Sequence, residues 1–204
     1  MSENPSSPNL VLPSSAPVQP SLPVTGSLQF KLPPLGPDER VVQVMIYTNQ
    51  SLWWGSVIIK EKLRVHMWLR TSAAPEIIHL YNARMKFQGT PEKHKTIAVK
   101  DVHILTSHII AYHLLPNEKE DLDYDPNEPN RHMESIAAFA GFFRFDGNVL
   151  VSNVYHIGRY IETTHESFLS MYDVDITYPY STDLAPLKVQ QALVKLSTAA
   201  FASK

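Results

Sequence analysis

The chain has 204 residues, with 18 Lys and Arg against 20 Asp and Glu, a net charge of −2, and no cysteine. These values exclude disulfides and thiolate metal sites, and they leave no clustered basic footprint for a nucleic-acid backbone. No apolar run reaches the roughly 18 residues of a membrane helix, and the first residues lack the charged-then-apolar order of a signal peptide, so a cytoplasmic protein with one or two packed domains is expected.

Residues 1–37 hold nine of the sixteen prolines, interspersed with serines. Proline removes backbone donors and serine buries little surface, so this stretch cannot build its own core. It reads as a disordered tail or a docking arm, whose apolar anchors would be Leu28, Phe30 and Leu32, set in strand-like alternation.

Val41–Tyr47 is rich in β-branched and large apolar residues and predicts a strand. Asn49-Gln50-Ser51 supplies a turn, and Leu52–Lys60 returns as the second arm of a hairpin. Leu63, Met67 and Trp68 fall near helical spacing, which suggests a short helix before Pro75. Glu76–Phe87, Thr96–Leu105 and Ile109–Leu115 follow as three further strands. The last two are separated only by Thr106-Ser107-His108.

From Pro116 to Arg131 the composition turns acidic and proline-bearing, marking a linker or long surface loop. Asp121, Asp123 and Asp125 resemble the start of a calcium loop, but Pro126 stands where glycine is needed and His132 where glutamate is needed. A solvated acidic linker is the expectation.

Beyond it the pattern repeats. Trp54-Gly55-Ser56-Val57-Ile58-Ile59 and Asp146-Gly147-Asn148-Val149-Leu150-Val151 each read as a strand entered through a glycine. With these glycines superimposed, Ile136–Phe139 matches the first strand and Phe142–Val151 the second. Val154–Glu162 then matches the short helix, and Phe168–Tyr178 the third strand after a one-residue deletion. Leu187–Phe201 by itself fits an amphipathic helix with Pro186 in its first turn. Opposite the fourth and fifth strands of the first copy, it is instead expected to form two strands. The organisation is thus an arm (1–37), a first unit (38–116), a linker (117–131) and a second unit (132–204).

Short strands leave sheet edges exposed, and small bent barrels remove them. In strand order the chain resembles SH3-like barrels and, in Ile77–Ala83 and Ile104–Tyr112, the middle and last strands of Sm-like barrels. It is also similar to uncharacterised bacterial small-barrel domains. The resemblance implies a mainly β protein of two tandem five-stranded barrels. It also raises RNA binding as an alternative, but the tight turns are Thr106-Ser107 and Leu196-Ser197 where Sm-like RNA sites carry Arg-Gly.

Comparing the copies sorts core from surface. Trp53 stands opposite Phe145 and is expected to be buried, whereas Trp54 stands opposite Asp146 and is expected to face outward as a partner contact. The alternative is that Trp54 packs on the other unit or on the arm. His103, His108 and His113 are a candidate metal set, but no carboxylate lies at motif spacing, and the second copy has Leu193 and Thr198 at the first two positions. His165-Glu166-Ser167 lacks the strand–turn–helix setting of a nucleophile, and no glycine-rich phosphate loop is present. A non-catalytic binding or scaffold protein without cofactor is expected, with a protein partner or a second copy of itself bound through arm and strand edges. A histidine-based metal enzyme or sensor is the second alternative.

Overall fold

A computed structural model describes residues 30–71, 74–87, 96–125, 127–179 and 185–204. The first half contains β1 (Glu39–Thr48), β2 (Ser51–Lys60), the single turn α1 (Val65–Trp68), β3 (Ile77–Phe87), β4 (Ile97–Leu105), a 3-10 turn (Thr106–His108) and β5 (Ile109–Leu114). The second half contains β6 (Arg131–Ala140), β7 (Phe143–Ser152), α2 (Ile157–Thr163), β8 (Phe168–Thr177), β9 (Leu187–Lys195), a 3-10 turn (Leu196–Thr198) and β10 (Ala199–Ser203). The C-terminal segment therefore forms two strands around a short turn, as the repeat predicts and its isolated helical pattern does not.

The strands form one antiparallel sheet in the order β10-β6-β7-β8-β9-β5-β1-β2-β3-β4. Each half has the same internal order, with its fifth strand beside its first. In place of two closed barrels there is one open sheet, because β5 of the first half pairs with β9 of the second through Ala111↔Val194 and Tyr112↔Leu193. Backbone groups that barrel closure would have satisfied within each half are satisfied between the halves at this seam.

The repeated glycine has a geometric cause. The register of β2 on β3 shifts between Trp54 and Ser56, and that of β7 on β8 shifts between Asp146 and Asn148. At each bulge one glycine faces an extra residue of the neighbouring strand, and that strand bends. A Cβ on Gly55 would stand 2.7 Å from the Tyr81 carbonyl oxygen, and one on Gly147 would stand 2.9 Å from that of Tyr172.

β1 is buried on both faces. Val42, Val44 and Ile46 pack with Val57, Ile78 and Leu80 in the first core. Met45 and Tyr47, on the opposite face, join Phe143, Phe145 and Met171 in the second. Tyr47 meets Phe143 edge-on at 4.7 Å and Phe145 at 5.4 Å. Each such large side chain contributes roughly 1.5–3 kcal/mol when removed from water, so the seam is an apolar interface as well as a ladder.

Candidate protein-interaction surfaces

The seam shows what covers a unit of this kind. On the first half it presents Tyr47, Ile110 and Tyr112, and on the second Phe168 and Leu193, all nearly inaccessible to solvent. Tyr112 packs edge-on against Phe168 at 5.4 Å. Lys195 at the end of β9 donates to the Ser107 carbonyl at 2.7 Å, pinning the two 3-10 turns together.

The acidic stretch is tied across the seam rather than uniformly solvated. The Asp123 carboxylate, 3% exposed, pairs with Arg70 and accepts hydrogen bonds from the Tyr172 hydroxyl (2.7 Å) and the Gln191 amide (3.0 Å). Arg70 also chelates Glu166 at 2.6 and 2.7 Å and donates to the Ser170 hydroxyl. Burial by itself would raise the Asp123 pKa, but the Tyr172 hydroxyl and the Arg70 guanidinium outweigh it and hold the carboxyl below its ordinary range. Glu120 is likewise buried, pairing with Arg40 and accepting from the Val65 backbone N–H at 2.9 Å. Asp121 beside it is exposed. The expectation of a solvated linker is corrected at Glu120 and Asp123, because cations remote in sequence reach them. The Asp123 carboxylate is satisfied within the cluster, as expected of a structural network, whereas the buried Arg70 Nε and the Gln191 side-chain oxygen have no hydrogen-bond partner among the described residues.

The sequence-derived candidates separate. Trp54 is half-buried and packs against the core that contains Phe143 and Phe145, on the same face as Met45 and Tyr47. Trp53 is half-buried against the first core and donates its indole N–H to the Ser51 hydroxyl at 2.7 Å. The backbone N–H of Phe30 donates to the Asn82 side-chain oxygen at 2.7 Å, Leu32 is half-buried, and Leu28 lies outside the described residues.

The three histidines occupy three environments. His103 is exposed on β4 and stacks on His79 at 4.1 Å. His108 ends the exposed 3-10 turn. His113 is sealed in the core, 2.8 Å from the Tyr47 hydroxyl and 2.6 Å from the Leu114 carbonyl oxygen. Burial pushes its pKa down to about 4. Among the described residues, no group of three His, Asp or Glu side chains is arranged to hold a metal ion, and no helix is long and apolar enough to cross a membrane.

Sequence reasoning named strand edges as contacts but not which strands form them or which apolar side chains lie beside them. β4 at one end and β10 at the other have a neighbour on one side only among the described strands. Large apolar side chains lie beside both: Ile77, Phe87 and Ile97 near β4, and Phe139 and Phe142 near β10, exposed by 37–49%. The repeat could have found them, since the matched positions Phe168 and Tyr178 are only 2% and 7% exposed. No protein-family model, curated protein or solved structure matches this chain.

Proposed function

We propose that the protein is a non-catalytic binding or scaffold protein built from two tandem Sm-like five-stranded units, with its free strand edges as contact surfaces. The observation that carries this reading is the pair of edges that no described strand covers, each flanked by exposed large apolar side chains. An unpaired edge offers a row of backbone donors and acceptors to an added strand, and flanking apolar residues supply area and side-chain selectivity. The bulge and strand order shared by the halves support the Sm-like reading of each unit. The arm adds a second contact, since its Phe30 already bonds Asn82 on the first unit.

The test is recovery of partners from an extract of the native source. Forms carrying Phe87→Glu or Phe139→Glu are expected to lose partners that the unaltered chain retains. Removal of residues 1–37 is expected to reduce recovery while leaving the thermal transition in place. Unchanged recovery by all three forms would overturn the proposal.

A further inference from the structure

The two free edges are the two sides of the seam, each presented again. β4 corresponds to β9 in the repeat, and β10 corresponds to β5. At several positions where the seam covers the second half, the first half carries an exposed counterpart, while Ile104, which matches the seam residue Val194, is itself buried. Phe168 and Leu193 are buried, whereas Ile77 and His103 at the matching positions are exposed. On the other side Tyr47, Ile110 and Tyr112 are buried, whereas the matching Phe139, Ala200 and Ala202 are exposed.

From this correspondence we infer that the chain assembles head to tail with copies of itself, β10 of one molecule adding to β4 of the next. The inference rests on the binding reading above and names the partner. Transferring the seam register places Phe201 opposite Ile104 and Ala202 opposite His103. The paired stretch then lies at the end of β4 next to Thr106. Lys100 and Asp101, exposed charges of the kind that discourage indiscriminate edge pairing, fall outside it. Phe139 would cover the outer part of the neighbour's first core, as Tyr47 covers Phe143 and Phe145 within the chain. Such a contact joins two different surfaces, so it either closes into a ring or continues as a filament.

The surfaces match in position but not in size. Tyr112 against Phe168 within the chain becomes Ala202 against Ile77 between chains. Lys195, which pins the seam, is matched by Leu105. The contact between molecules is therefore the weaker of the two.

Sedimentation velocity on the full chain over a hundredfold concentration range is expected to show species at whole multiples of the chain mass. Phe139→Glu blocks the β10 end, and Phe87→Glu together with Ile77→Glu blocks the β4 end. Each form alone is expected to be monomeric, with association weakened roughly a hundredfold. An equimolar mixture is expected to yield a one-to-one dimer, because one intact β10 end then meets one intact β4 end. Ala202→Lys serves as a second β10 block if Phe139→Glu disturbs folding, with far-ultraviolet circular dichroism as the control.

A monomeric unaltered chain at every concentration overturns the inference, as do blocked forms that keep the unaltered mass or a mixture that stays monomeric. A monomeric chain that still captures another protein through these edges leaves the binding reading intact and removes only self-assembly.

Discussion

Asn82 and Asp173 hold the same left-handed backbone conformation, with φ of 49° and 51°, at matching bulges of the two halves. Asn and Asp tolerate this region better than other residues with a side chain, and each lies across from a glycine that admits the neighbouring carbonyl. The close approach involves main-chain atoms that cannot move aside cheaply. Gly55→Ala and Gly147→Ala are therefore each expected to cost about 1–3 kcal/mol, read as a lower urea midpoint at unchanged slope.

Arg70 and Asp123 form a largely buried ion pair beside the seam, at 17% and 3% side-chain exposure. Removing one partner strands the other in low dielectric, so Arg70→Met is expected to destabilise by about 3–5 kcal/mol. Adding Asp123→Asn to that variant is expected to cost less than the two single effects combined. A double-mutant cycle by chemical denaturation measures the coupling; strict additivity would assign the cost to packing.

His113 makes stability depend on pH in one direction. Its pKa is about 4 in the folded chain against an ordinary 6.5, so below pH 6.5 the unfolded state takes up a proton that the folded state refuses. The contribution is complete above pH 6.5 and is lost as pH falls to about 4, a change of order 3 kcal/mol. His79, whose pKa is lowered by burial and then by the neighbouring His103, acts in the same direction from a more exposed position. Asp123 acts only in the more acidic range, through its lowered carboxylate pKa. His113→Gln is expected to flatten the decline between pH 6.5 and 4, which a series of urea titrations would show.

Because β1 contributes to both cores, the halves are expected to unfold together. Calorimetry should show one transition with equal calorimetric and van't Hoff enthalpies. Residues 38–116 expressed alone would expose Met45, Tyr47 and Leu52, and residues 132–204 alone would expose Phe143 and Phe145. Neither fragment is expected to give a cooperative transition.

Local patterns carried much of the architecture. Alternating apolar residues, the turn at Thr106-Ser107-His108 and the duplicated glycine gave the strands, and comparison of the copies turned the C-terminal segment from helix to strands. The joining of the sheets was not legible, because β5–β9 pairing rests on two residue pairs far apart in sequence and any strand of suitable pattern could have supplied them. Asp123 reads as solvated because its neighbours are acidic, while Arg70, which buries it, lies 53 residues away. Trp54 matched Asp146, whose carboxylate is itself half-buried and paired with Arg144 and Lys204. In the first half the same position packs against the second core, so it carries ion pairs in one copy and an apolar contact in the other.

The covalent link between the halves has a consequence for any larger particle built from them. Identical, separate subunits would have to use one compromise contact everywhere. Here duplication within a single chain lets alternate joints diverge: one is fastened by Tyr112, Phe168 and Lys195, while the next carries Ala202, Ile77 and Leu105. A particle of this kind would lose and regain whole chains at its looser joints while its fastened ones stayed shut, so its stoichiometry would change in steps of two units.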